Sequence, residues 1–174
     1  MICPSCGHDN ISGSDTCEKC SQSLTEEWGE EPGELGIFSR SLTDLGPRLP
    51  VCVHPDSSLA EAVSLLKEEG VGCVFVTGED DELVGIFTER DVLYRVAGLI
   101  EHLEEVPVES LMTPRPSSLK TTQPISHALH LMGLHGFRHV PLVDENGKPT
   151  GFISFRDVVR FIEENFAGGG TPLN

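Results

Sequence analysis

The apolar positions of this chain repeat themselves. From residue 49 onward an offset of 66 superposes Val53 on Leu119, Leu59 on Ile125, Ala62 on Ala128, Val74 on Val140 and Val76 on Leu142. Self-similarity at a fixed offset, without a gap, is the mark of one structural unit used twice. In the first copy the lead PVCVHP precedes a stripe of Leu59, Ala62, Val63 and Leu66, a spacing that predicts an amphipathic helix over 58–68. In the second copy the lead SSLKTT precedes a predicted helix over 125–134. CVFVT at 73–77 and HVPLVD at 139–144 are apolar runs of strand length, followed by the turn signals GEDDE and DENGK, the latter with an Asn-Gly hairpin cue. LVGIFT and PTGFIS read as second strands, and a further helix opens after each. The order is β-α-β-β-α, twice, which places the chain in the α+β class. A copy of about 55 residues is too small to bury its own sheet face, so the two are expected to pack as a pair.

The second strands end in related strings, GIFTERDV from Gly85 to Val92 and GFISFRDV from Gly151 to Val158. A core needs apolar periodicity; it does not need a hydroxyl and a carboxylate three residues apart. Ser/Thr-x-x-Asp before an apolar helical run is the pattern of a capping box, worth on the order of 1 kcal/mol. Thr88 with Asp91, and Ser154 with Asp157, fit it. The same residues suit a ribose phosphate. A carboxylate accepts both hydroxyls of a cis-diol, while a helix N-terminus and the neighbouring Arg90 or Arg156 favour phosphate. The two readings are compatible. Beside the motif the copies differ: the first strand begins Arg138-His139 in the second copy and Gly72-Cys73 in the first.

The first 24 residues are of another kind. Cys3-x2-Cys6 and Cys17-x2-Cys20 can place four thiolates at the corners of a tetrahedron, the closed geometry of a structural zinc site. So short a piece buries no self-sufficient core, and metal binding would supply its folding energy. With no secretory signal ahead of Cys3, metal ligation is expected rather than a disulfide framework. His8 reads as an exposed loop residue. Residues 25–48, rich in Glu and Gly with Pro32 and Pro47, show no period and are expected to form an acidic flexible linker, with Trp28, Ile37 and Phe38 as apolar islands.

Net charge is −16, with −2 in residues 1–24, −4 in 25–48 and −10 in 49–174. No segment is basic, which argues against nucleic acid as the main partner. No apolar run approaches the ~18 residues of a membrane span, so a soluble, cytoplasmic protein is expected. His102, His127, His130 and His135 read as surface or groove residues in or near helices. No nucleophile triad, HExxH or glycine-rich phosphate loop occurs, and no enzymatic activity is expected.

The layout, the lead LMTPRPSSL, the run FRHVPLVDENGKPTGFIS and the twin motifs together resemble a tandem pair of CBS domains, one copy over 49–106 and the other over 107–174 with a short disordered tail. The CPxCG…CxxC segment resembles the short zinc ribbons. The CBS resemblance implies a pseudo-twofold pair, dimerisation, and clefts for adenosine-containing ligands such as AMP, ADP, ATP or S-adenosylmethionine. It implies that Asp91 and Asp157 contact ribose, that Thr88 and Ser154 supply the hydroxyl, and that each cleft borrows part of its wall from the other copy. One expected site joins Arg138, His139, Ser154, Arg156 and Asp157 to Ser57 and Ala62. The other joins Thr88, Arg90 and Asp91 to Gln123 and Ala128. The first is expected to bind an adenine nucleotide; the second is expected to be weak, empty, or to take an uncharged nucleoside. The expected function is a regulatory nucleotide sensor that signals to a protein partner. The alternative is a ligand-free dimerising scaffold with a structural zinc ribbon. A nucleotide-gated nucleic-acid regulator is a third reading, opposed by the charge.

Overall fold

The computed structural model describes residues 3, 8–11, 14–19, 21, 24, 34–96 and 100–166. The first copy comprises β1 (Cys52–Val53), α1 (Leu59–Glu68), β2 (Cys73–Thr77), β3 (Leu83–Thr88) and α2 (Glu89–Asp91), which continues as a π turn over Val92–Val96. The second comprises β4 (Thr113–Pro114), α3 (Ile125–His135), β5 (His139–Val143), β6 (Pro149–Ser154) and α4 (Phe155–Phe166). Both expected helices fall within a residue of their predicted bounds, because both have local stop signals. Gly70 and Gly136, at φ 60° and 64°, follow α1 and α3 in the left-handed region that glycine adopts without steric cost.

By their contacts the residues form two compact units. One draws on the stretches up to Pro47, Ser117–Val140 and from Ile153 onward; the other on Arg48–Pro116 and Pro141–Phe152. The second unit holds a four-stranded sheet in the order β1-β2-β3-β4, with β1 parallel to β2 and the other pairs antiparallel. Residues 73–76 of β2 are all buried, which is why this strand reads as a continuous apolar run instead of an alternating one. Val74, Phe75, Val76, Phe87, Leu59 and Ala62 are fully enclosed there, and Phe75 meets Phe152 edge to face at 6.0 Å. In the first unit α4 packs on a 3-10 turn, Leu42–Leu45, and Arg40 lies 4.9 Å over the Phe161 ring.

That turn corrects the expected linker. Its first part, 25–33, lies outside the described residues, but from Glu34 the segment is structured, and Leu42 and Leu45 are buried. The 66-residue offset in fact reaches back to it: Leu42 and Leu45 match Val108 and Leu111. The backbone bonds match as well. Leu42 N–H donates to the Gln123 carbonyl at 2.9 Å, and Ile125 N–H to the Arg40 carbonyl at 2.9 Å. One repeat away, Val108 N–H donates to Ser57 at 2.8 Å, and Leu59 N–H to Val106 at 2.9 Å. Each copy's lead is therefore bound to the helix entry of the other copy. The sheet edges follow the same rule: β4 pairs with β3, and Arg48 exchanges two 3.0 Å backbone bonds with Phe152.

The glycine that opens the first motif serves this exchange. A Cβ built on Gly85 would overlap the Met112 thioether, just ahead of β4. Gly85→Ala is expected to displace Met112 and cost about 1–3 kcal/mol, the usual range for overpacking. A fall in Tm checks this; an unchanged Tm would show that Met112 repacks freely.

Candidate functional site

Both motifs sit where a strand hands over to a helix. At the first, Thr88 is in extended conformation and α2 begins at the next residue. The Thr88 amide and hydroxyl donate to Asp91 Oδ2 at 2.9 and 2.7 Å, and the Asp91 amide donates back to Thr88 Oγ1 at 3.4 Å. This is a capping box in full. At the second, the Ser154 amide and hydroxyl donate to Asp157 Oδ2 at 2.8 and 2.6 Å, and Asp157 is 1% exposed. The cap thus orients a buried carboxylate at the start of each helix, with its second oxygen turned to an arginine. Arg95 Nη1 lies 3.4 Å from Asp91 Oδ1, and Arg160 Nη2 donates to Asp157 Oδ1 at 2.7 Å. These are not the arginines of the motif: Arg90 and Arg156 are exposed.

The start of the preceding strand lies against the motif in both copies. The Phe155 amide donates to the Arg138 carbonyl at 2.9 Å, and the Glu89 amide to the Gly72 carbonyl at 3.2 Å. Arg138 is exposed and His139 half-buried, beside the second motif. Their counterparts carry no charge. Cys73 is buried, and burial pushes its thiol up to about 12, so it offers no thiolate at neutral pH. The asymmetry read from the sequence therefore has a structural counterpart.

The remaining expected residues divide by unit. Ser57 and Ala62 share a unit with Thr88, Arg90 and Asp91; Gln123 and Ala128 share the other with Arg138, His139, Ser154, Arg156 and Asp157. Ala62 and Ala128 are both fully buried, on the apolar stripes of α1 and α3. Gln123 braces the start of α3. Its Oε1 accepts from the Lys120 amide at 2.7 Å, and its Nε2 is 3.2 Å from His127 Nδ1. Burial, and then His130, hold His127 below the usual histidine range.

At the N-terminus Cys3 and Cys17 are buried thiols in one cluster with Leu24, while Cys6 and Cys20 lie outside the described residues. The Cys3 amide donates to the His8 carbonyl and the Ser21 amide to the Cys17 carbonyl, both at 2.8 Å. Ser21 adopts φ 57°, in the left-handed region. Asn10, buried, ties the backbone at His8 to that at Glu18: its Nδ2 donates to the His8 carbonyl at 2.9 Å and its Oδ1 accepts from the Glu18 amide at 3.0 Å. Among the described residues no group of three or more His, Cys, Asp or Glu side chains is placed to hold a metal. Sequence reasoning missed Asn10, Arg95 and Arg160. Only helical spacing from the motif Asp could have pointed to the arginines.

The comparisons with known proteins agree on the fold. The model of the CBS domain matches residues 44–98 and 108–164. A CBS-domain containing protein from Agrobacterium tumefaciens is 35% identical, with a TM-score of 0.61 over 71% of this chain and 96% of that one. A CBS domain protein from Pyrobaculum aerophilum, solved in complex with AMP, is 28% identical, with a TM-score of 0.64 over 74% and 99% of the two chains. A 17.7 kDa protein of Acidianus ambivalens is 35% identical over 108 residues, 62% of this chain and 64% of that one. The chain spans less than two thirds of the length of the first curated relatives it matches. Among the described residues no helix is long and apolar enough to cross a membrane.

Proposed function

The chain belongs to the CBS domain family, and we propose that it is a regulatory, non-enzymatic sensor of an adenosine-containing ligand, with its main site at Asp157. One observation carries this reading: a buried carboxylate, oriented by a helix cap, stands beside the strand end that bears Arg138 and His139. The carboxylate suits a ribose diol, and the arginine, histidine and helix start suit phosphate. The favoured site is built on Arg138, His139, Ser154, Arg156 and Asp157, and the weaker one on Thr88, Arg90 and Asp91. AMP in the Pyrobaculum aerophilum neighbour supports an adenine nucleotide. Such a ligand would signal to a protein partner to the extent that it binds one arrangement of the copies more tightly than another.

Calorimetry with AMP, ADP, ATP, S-adenosylmethionine and adenosine tests this. Asp157→Ala is expected to weaken every ligand about tenfold or more, through loss of a charge-assisted bond pair. Arg138→Ala is expected to weaken the phosphorylated ligands more than adenosine. If both variants leave every affinity unchanged, the assignment is wrong. If no ligand binds the native chain, the scaffold reading stands, and the capping bonds of the two motifs support that reading as the second choice.

Self-association as a homodimer is supported by one surface. Leu93 and Tyr94, 68% and 76% exposed, follow Val92 at the edge of a depression of about 350 Å³ lined by Val63, Leu66, Lys67, Glu89 and Val92. A twofold partner would set the apolar pair of each copy on the other's groove, with Lys67 facing Glu89. Tyr94→Glu is expected to convert the dimer to a monomer by light scattering; an unchanged dimer mass excludes this face.

The N-terminal segment is read as a structural zinc site with Cys3, Cys6, Cys17 and Cys20 as ligands. Two buried thiols that share one small cluster with Leu24 fit a metal that supplies the folding energy. Asn10 then braces the backbone at His8 and Glu18 beside them. Native mass spectrometry of the intact chain is expected to show a single zinc. Asn10→Ala should keep that stoichiometry and lose the metal faster to a chelator. A zinc-free chain overturns the site.

A further inference from the structure

The two motif carboxylates are not bare acceptors. Asp157 is 1% exposed, with Oδ2 held by the Ser154 amide and hydroxyl at 2.8 and 2.6 Å and Oδ1 held by Arg160 Nη2 at 2.7 Å. A cis-diol brings two donors that must find lone pairs on this same carboxylate. The Ser154 bonds are buried and local, and breaking them would also open the start of α4. The arginine is different. Its side chain is 55% exposed, so water can satisfy the guanidinium once it leaves. We propose that Arg160 is a displaceable gate on the Asp157 carboxylate, and that a ribose binds by exchanging its diol for the guanidinium. The inference rests on the ribose reading of Asp157.

The first motif carries a slacker version. Arg95 Nη1 is 3.4 Å from Asp91 Oδ1, and the same nitrogen donates to the Leu111 carbonyl at 2.7 Å. A diol arriving at Asp91 displaces only the long contact, and Arg95 keeps its backbone acceptor. The gate is therefore tight at Asp157 and loose at Asp91. One consequence distinguishes a gate from a mere support. The competing ion pair is screened by salt, whereas the bonds of an uncharged nucleoside are not. Salt should therefore strengthen the binding of adenosine at Asp157, which is the reverse of its effect on a phosphate ligand.

The test uses the full chain and adenosine, titrated by calorimetry at low and high sodium chloride. Native protein is expected to bind adenosine more tightly as salt rises. Arg160→Met keeps the apolar stem and removes the charge. It should bind about two- to fivefold more tightly at low salt, the range of a partly exposed ion pair, and show no salt dependence. Arg160→Lys should fall between the two. Weaker binding by Arg160→Met, or an unchanged salt slope, overturns the gate and makes Arg160 a support for the carboxylate. Asp157→Ala separates the two layers: if it binds adenosine like the native chain, the ribose reading itself falls. Absence of adenosine binding in both native and Arg160→Met protein overturns that reading and the gate with it.

Discussion

The structure depends on backbone groups that neither copy satisfies for itself. The helix entries at Ser57–Leu59 and Gln123–Ile125 each present a carbonyl and an amide, and each finds its partners in the lead of the other copy. An unpaired buried peptide group costs free energy comparable to a lost hydrogen bond, so this reciprocal pairing is a strong constraint. It also fixes the sheets. One lead pairs with Gly85 and Ile86 on the edge of β3, and the other makes one bridge to Phe152 of β6. The close passage of Met112 at Gly85 belongs to the same exchange.

The exchange explains what could and could not be read from the residues. Strands and helices were legible because each has its own periodicity and its own stop signals, such as the Asn-Gly cue before β6. The segment 34–48 was not, because its order is tertiary: one short 3-10 turn with two buried leucines, embedded in Glu and Gly, gives no local period. The signal was present in the offset, since Leu42 and Leu45 stand 66 residues before Val108 and Leu111, but an acidic composition masked it. The site behaved in the same way. Thr88, Asp91, Ser154 and Asp157 were visible as a motif, whereas Arg95 and Arg160 were hidden because they do not align: at the common offset Arg160 matches Tyr94 and Arg95 matches Phe161.

That misalignment has a physical origin in the helices. α4 is a regular α-helix over Phe155–Phe166, and Asp157 is met by the arginine three residues on. α2 is regular only through Asp91 and then widens into a π turn, where Asp91 is met by the arginine four residues on, at the longer distance. A π insertion changes which side chains share a face, and such insertions concentrate where a helix does more than fill space. The same widened turn carries the exposed Leu93 and Tyr94.

The two copies therefore differ in three respects: the charge beside the motif, the regularity of the helix after it, and, following from that, the grip of the arginine on the carboxylate. A cap asks nothing of the residues at +3, at +4 or on the preceding strand, whereas the proposed binding site would constrain all three. The differences also point one way: the copy with Arg138 and His139, proposed to attract a phosphate, is the copy whose carboxylate is held most tightly. Attraction and restraint at one site are the ingredients of selectivity, because a ligand that lacks the phosphate must open the same gate with less binding energy.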